Sequence, residues 1–350
     1  MAGCQGEARM IPEALPERLP PEPLIDRFGR RHTSLRISVT DRCNLRCLYC
    51  MPEQVSSFMP TDEQLTFDEI ERFVRLVLPL GVNKFRLTGG EPLLRPDLID
   101  LVRRLACLPG VADLSLTTNG VLLSRWARPL YEAGLRRLNV SLDALSPEPF
   151  ARLARRPLLD PVLAGIEAAR QTGFAPIKIN AVAMRGVTED QIIPFAEFAC
   201  RSGCIVRFIE YMPLDADNAW EREKVLTAAE ILRVLTSHYG DLSPVSVSAT
   251  AEPASDFTFA GQAGRIGFIP SVSAPFCSAC NRFRLTADGR LRNCLFSLHE
   301  HDVKSLLRRN ADDAELLACI RQCIADKWAG HQINAADFVQ PNRPMYAIGG

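Results

Sequence analysis

The sequence predicts an α/β fold of repeated βα units around a parallel sheet, with a smaller C-terminal module. Two observations predict it. From Ser34 to about Tyr211, short β-branched or leucine-rich runs alternate with helical patterns, and a helical crossover returns the chain parallel to the strand before it. Past Tyr211 the rhythm gives way to a polar stretch rich in Ser, Ala, Pro and Gly, where a second module begins. The expected units are an N-terminal arm over 1–30, the βα body over 31–215 and the C-terminal module over 216–350.

Taken in order, the arm holds Pro12, Pro16, Pro20, Pro21 and Pro23 with scattered glutamates and little apolar periodicity, a composition for an extended or disordered segment. Strands fall at 35–39, 82–87, 113–117, 137–142, 176–183 and 204–209. Between them Thr66 with Glu69 and Thr188 with Gln191 read as capping boxes, and Ser146-Pro147 and Asp160-Pro161 place proline in the first helical turn. Leu98, Leu101, Val102 and Leu105 give the stripe of a helix packed on a sheet. Gly81, Gly134, Gly173 and Gly203 stand where helices should stop in a left-handed residue. In the second module one helix opens at Thr227 with Glu230, two more helical patterns begin near Asp302 and Asp312, and the chain ends Met345-Tyr346-Ala347-Ile348-Gly349-Gly350.

The 41 basic and 41 acidic residues cancel, which excludes a polybasic nucleic-acid binder. No apolar run approaches the ~18 residues that span a bilayer, and the first thirty residues hold no signal-peptide core, so no membrane association and a cytoplasmic location are expected. Twelve cysteines are too sparse for a disulfide scaffold, so in a reducing compartment their spacing carries the information. Only five lysines stand beside a large excess of arginine, by codon bias or by selection for phosphate binding.

Cys43-Asn44-Leu45-Arg46-Cys47-Leu48-Tyr49-Cys50 places three thiols in one polar turn directly after the first strand, where parallel α/β folds carry functional loops. Structural zinc takes four closed ligands, whereas a 4Fe-4S cluster held by three cysteines leaves one iron open to a small molecule. Thr88-Gly89-Gly90-Glu91-Pro92 follows the second strand, and its paired glycines permit close backbone approach, to a ligand or simply within the turn. Cys277, Cys280 and Cys294 form a second trio, for which a zinc ribbon completed by His299 or His301 is the alternative. Cys4, Cys107, Cys200, Cys204, Cys319 and Cys323 form no such set.

The CxxxCxxC spacing with an aromatic before its last cysteine resembles the radical S-adenosylmethionine enzymes. Around the second trio, Cys277-x-x-Cys280-Asn281-Arg282-Phe283-Arg284-Leu285-Thr286 with Asn293-Cys294-Leu295-Phe296 is similar to one family among them, the GTP 3′,8-cyclases of molybdenum cofactor biosynthesis. Leu35-Arg36-Ile37-Ser38-Val39-Thr40, Lys84-Phe85-Arg86-Leu87-Thr88, Leu116-Thr117-Thr118-Asn119-Gly120, Arg207-Phe208-Ile209-Glu210-Tyr211-Met212-Pro213 and the Gly-Gly terminus extend the likeness from Leu35 to Gly350.

The resemblance implies a partial (β/α)6 barrel, two 4Fe-4S clusters and S-adenosyl-L-methionine. It assigns the clusters to Cys43, Cys47 and Cys50 and to Cys277, Cys280 and Cys294, and the S-adenosylmethionine pocket to Tyr49, Gly90, Ser141 and Met212. GTP contacts fall on Arg36, Arg86, Thr117, Lys178, Arg207, Arg282, Phe283 and Arg284, with catalytic parts for Arg36, Lys178, Gly349 and Gly350. A 5′-deoxyadenosyl radical would take the ribose 3′ hydrogen, and the second cluster would anchor guanine. A flavodoxin or ferredoxin donor, a downstream cyclic pyranopterin monophosphate synthase and a monomer or homodimer are implied as well. The charge logic stands by itself: with no GxxxxGK[ST] or GxGxxG loop to cradle a triphosphate, cationic side chains must neutralise it, and arginine's planar fork suits phosphate oxygens. The rival readings are a peptide-modifying radical enzyme and a zinc-stabilised nucleic-acid binder.

Overall fold

The computed structural model describes residues 22–245, 253–261 and 263–350. Six parallel strands, β1 (Ser34–Ser38), β2 (Lys84–Thr88), β3 (Asp113–Thr118), β4 (Arg137–Ser141), β5 (Ile177–Ala183) and β6 (Ile205–Glu210), pair in chain order. All six expected strands are present, displaced by two residues at most. They are joined through helices α1 (Phe67–Val77), α2 (Leu98–Ala106), α3 (Leu123–Glu132), α4 (Pro147–Ala154), α5 (Leu159–Thr172) and α6 (Ile192–Ser202).

The strands are two-faced because successive side chains alternate across a sheet. Leu35, Ile37, Phe85, Leu87, Leu116, Leu138, Val140, Ile179, Val206 and Phe208 are buried and share one core with Phe73, Leu101, Leu130, Ile166 and Phe195 of the helices. The intervening positions form the opposite face and are polar except for Val182, Ile205 and Ile209. The four helix-ending glycines all have positive φ, between 70° and 107°, as expected. Thr66 with Glu69 forms its capping box in both directions. Thr188 with Gln191 does not: Thr188 Oγ1 accepts from Met184 N at 2.9 Å and Gln191 Oε1 accepts from Leu145 N at 2.9 Å, so both side chains stitch loops instead of a helix start.

The C-terminal module adds helix α7 (Ala228–Tyr239), strands β7 (Ser243–Pro244), β8 (Ser255–Thr258), β9 (Arg265–Ile269), β10 (Arg282–Leu285), β11 (Arg290–Arg292) and β12 (His301–Asp302), and helices α8 (Val303–Arg308), α9 (Asp313–Ala325) and α10 (Met345–Ile348). It is continuous with the body instead of a separate layer. β9 pairs parallel to β6 at one edge and β10 parallel to β1 at the other, so one open sheet runs β12-β11-β10-β1-β2-β3-β4-β5-β6-β9-β8-β7. The six-stranded partial barrel is thus flanked on both edges by later sequence.

Of the expected arm, residues 1–21 lie outside the described residues, and the segment after them departs from the expectation. Leu24, Asp26, Arg30 and His32 are buried. Asp26 accepts from Arg30 Nε at 2.6 Å and meets His32 Nε2 at 3.1 Å, while Arg30 donates to the carbonyls of Cys277, Trp328 and Ala329 at 2.6–2.9 Å. The chain is fixed here because a buried guanidinium must satisfy all its donors. Among the described residues no helix is long and apolar enough to cross a membrane.

Candidate active site

The parallel register turns the polar positions of the strands into one charged row. Arg284 of β10 lies beside Arg36 of β1, which lies beside Arg86 of β2 and then Ser115 of β3. Asn139 pairs with Lys178, Ser141 with Asn180, and Asn180 with Arg207. These side chains line a cavity of roughly 380 Å³ that is also bordered by all six cysteines of the two trios, by Tyr49, Gly90, Thr117, Met212 and Arg282, and by Gly350. The residues expected to hold clusters, S-adenosylmethionine and GTP therefore converge.

Two expected residues stand differently. Phe283 borders the cavity, yet it alternates with Arg282 and Arg284, and its ring is fully buried edge-on to His32. Its side chain belongs to the core, so any contact with a ligand runs through its main chain. Gly349 lies just outside the lining, its carbonyl accepting from Arg284 Nη1 at 2.6 Å.

The first trio sits on the loop after β1, and the Gly89-Gly90 turn after β2 clamps that loop. A Cβ on Gly89 would meet Thr40 O at 2.4 Å, and one on Gly90 would meet Arg42 O at 2.4 Å and Asp41 O at 2.6 Å. Only glycine lets Gly90 N reach Thr40 O and Glu91 N reach Arg42 O, both at 2.7 Å. Glu91, fully buried, accepts from Thr118 Oγ1 and Asn119 N at 2.7 Å and Leu93 N at 3.0 Å. Burial raises its carboxyl to about 7 against those hydrogen bonds. The Asn119 side chain in turn donates to Cys43 Sγ at 3.7 Å and to Asn44 Oδ1 at 2.7 Å. Tyr49 hydroxyl donates to the buried Asp143 at 2.7 Å, and Asp143 also takes Val182 N at 2.8 Å. Burial pushes Cys43 to about 11 and Cys47 and Cys50 higher, so empty of iron these sulfurs hold their protons. Such thiols become thiolates only with a cation in place.

In the second trio, Cys280 differs from its neighbours. Burial would raise it, but Arg282 and Lys327 outweigh burial and bring it down to about 6. Lys327 Nζ lies 3.6 Å from Cys280 Sγ. The histidines of the zinc alternative stay away: neither His299 nor His301 lines the cavity, and His301 Nε2 pairs with Asp326 at 3.2 Å. Among the described residues no three His, Cys, Asp or Glu side chains close on the position of a single metal ion. Three thiols on one cavity, with neither His299 nor His301 in its lining, fit a cluster with an open iron better than a closed tetrahedral zinc.

The cations are held under strain of charge. Burial, then Arg284, Arg86 and Arg282, pull Arg36 well below its ordinary value; burial and Arg137 bring Arg86 to about 10; burial and Arg282 bring Arg284 to about 9. Among the described residues no carboxylate forms an ion pair with Arg36 or Arg284. Arg207 is different, forked onto Asp256 at 2.9 and 3.2 Å, with Gly267 leaving the space that Asp256 occupies. Lys84, Asn119, Asn139, Asn180, Asp256 and Lys327 were missed by sequence reasoning. Strict two-residue alternation marks the inner face and would have yielded Lys84, Asn139 and Asn180; nothing local marks Asp256 or Lys327.

The Radical SAM superfamily pattern matches residues 37–199, and that of Molybdenum Cofactor Synthesis C matches residues 204–333. The chain is 50% identical over 333 residues to the GTP 3′,8-cyclase of Rhodopirellula baltica, covering 94% of this chain and 93% of that one. It is 46% identical over 328 residues to the GTP 3′,8-cyclase of Streptomyces coelicolor, covering 93% and 96%. Among solved structures, Streptococcus suis SuiB superposes with a TM-score of 0.58 at 16% identity over 89% of this chain and 76% of that one, a likeness of fold. On that identity and coverage, the chain belongs to the GTP 3′,8-cyclase family of radical S-adenosylmethionine enzymes.

Proposed function

We infer that the chain converts GTP into (8S)-3′,8-cyclo-7,8-dihydroguanosine 5′-triphosphate for molybdenum cofactor biosynthesis. One observation carries this: two cysteine trios open on a single cavity, which is also lined by Arg36 and Arg284, neither of them in an ion pair with a carboxylate among the described residues. Cys43, Cys47 and Cys50 would hold a 4Fe-4S cluster that, when reduced with S-adenosylmethionine bound, would supply the 5′-deoxyadenosyl radical needed to take the ribose 3′ hydrogen. Tyr49, Gly90, Ser141 and Met212 shape the pocket beside that trio.

The protein's own task is positioning. Arg36, Arg86, Arg284 and Lys178, with Arg207 and Arg282, neutralise the triphosphate, and the like-charge repulsion among the first three becomes attraction once phosphate enters. Thr117 adds a hydroxyl on the same face. C3′ and C8 belong to one nucleotide, so the protein's part is to hold it folded with the two carbons in near-attack contact. The second trio would anchor the guanine. Gly350 lines the cavity, and Gly349 lets the tail pass close behind it because it carries no side chain: it has φ 93°, and a Cβ there would meet Ser38 Cβ and Thr88 Cγ2 at 2.9 Å. A flavodoxin or ferredoxin delivers the electrons, cyclic pyranopterin monophosphate synthase takes the product, and the enzyme works in the cytoplasm as a monomer or homodimer.

The test is anaerobic incubation of iron-loaded protein with S-adenosylmethionine, a strong reductant and GTP deuterated at C3′. The expected products are 5′-deoxyadenosine carrying deuterium and a nucleotide isomer of GTP. Cleavage of S-adenosylmethionine with unaltered GTP and no deuterium transfer sinks the reading.

A further inference from the structure

Lys327 follows α9 and is 3% exposed. Its Nζ donates to Arg282 O at 2.6 Å, to Asn293 O at 2.7 Å and to Cys280 Sγ at 3.6 Å, which uses all three N–H bonds of an ammonium. Arg282 is two residues past Cys280, and Asn293 immediately precedes Cys294. The one cation thus ties together the two chain segments that carry two of the three thiols. Asn293 Nδ2 also donates to Cys323 O at 2.9 Å, fixing the Cys294 segment to α9. Arg30 binds the carbonyls of Cys277, Trp328 and Ala329, and a Cβ on Gly330 would lie 3.4 Å from Cys277 Cβ. Residues 327–330 therefore strap the whole trio.

A buried ammonium costs several kcal/mol unless an anion faces it. Among the described residues Lys327 forms no ion pair with a carboxylate, and its charged neighbours Arg30 and Arg282 repel it. The anions within reach are the sulfurs of Cys280 and Cys294. Among the described residues no lysine or arginine donates to a sulfur of the first trio: Cys43 takes the neutral amides of Asn119, at 3.7 Å, and Leu45, at 3.4 Å, Cys50 takes the main chain of Tyr346, and Arg46 acts on Cys43 only through space.

We propose that Lys327 is the built-in counter-cation of the second iron–sulfur cluster, raising its one-electron midpoint. This rests on the reading that Cys277, Cys280 and Cys294 bind a cluster. Reduction adds one negative charge to the cluster, and a fixed cation at hydrogen-bond distance from a ligating sulfur favours that reduced form.

The experiment uses full-length protein, loaded anaerobically, with both midpoints followed by electron paramagnetic resonance during reductive titration; S-adenosylmethionine identifies the first cluster by perturbing its signal alone. In Lys327→Met and Lys327→Gln, the second cluster is expected to move to lower potential or to lose its iron, with the first midpoint unmoved, while Lys327→Arg keeps iron and midpoint near wild type. An unchanged second midpoint in a loaded neutral variant overturns the proposal. So does an arginine variant that fails as the methionine variant does, since the role is then one of shape. Wild-type protein with iron for one cluster only, or zinc at the second trio, rejects the underlying cluster reading instead.

Discussion

Arg36 stands between Arg86 and Arg284 in the sheet register, and its neighbours and burial work against its charge. Replacing a desolvated charge by an apolar side chain of similar length relieves that repulsion. Arg36→Met is expected to raise the unfolding free energy of the ligand-free protein by on the order of 1 kcal/mol. It should also weaken GTP binding about 10- to 100-fold, the loss of ~1.5–3 kcal/mol from a charge-assisted contact. Denaturant unfolding and equilibrium binding check the two halves; a variant both less stable and equally tight for GTP contradicts the assignment. Phe283 shows the limit of reading residues singly. A motif places it between two arginines, but a strand sends it to the other face, and the core claims it.

At the scale of elements, the Gly89-Gly90 turn is a clamp on the first cysteine loop. Gly90→Ala forces a methyl to within 2.4 Å of Arg42 O, a main-chain atom that cannot step aside without moving the loop. The expected outcome is loss of the iron bound by Cys43, Cys47 and Cys50, with the second trio still loaded; iron and sulfide analysis reads the stoichiometry. Helix α7 gives a pH prediction. The Thr227 side chain and main chain, then Arg185, hold Glu230 down from an ordinary 4.5 to about 2. A carboxyl lowered in the folded state adds stability above pH 4.5, and that stability fades as pH falls toward 2. Glu230→Gln should therefore cost about 1 kcal/mol near pH 7. The deficit should shrink in urea unfolding at pH 4 and below; a gap that widens in acid refutes the capping role.

For the whole molecule, the C-terminal segment returns to the body it left. Arg343 forks onto Asp288 at 2.9 and 3.0 Å and reaches Glu300 at 2.9 Å, Met345 N bonds Leu214 O at 3.0 Å, and Thr88 hydroxyl donates to Gly350 O. Removing Gly349 and Gly350 takes away the Thr88 contact but leaves the Arg343 and Met345 fastenings in place. The truncated protein should retain both clusters and still cleave S-adenosylmethionine, yet lose cyclisation; full turnover would show that the tail is dispensable. Arg343→Ala should weaken cyclisation partially, by loosening the strap, as product yield per 5′-deoxyadenosine would report.

Much of this was legible beforehand because it is local. Three thiols in one turn, paired glycines after a strand, glycines at helix ends and the βα rhythm each depend on residues a few positions apart, and each was found where spacing put it. The folded chain alone decided that both cysteine trios face one cavity, that Lys327 lies against the second of them, that Asp256 holds Arg207, and that Leu24, Asp26 and Arg30 are buried. Those facts depend on β10 joining β1 and β9 joining β6, contacts between segments far apart in sequence. Periodicity tells which way a side chain faces, but sheet register and edge pairing, which no local pattern encodes, determine what it meets.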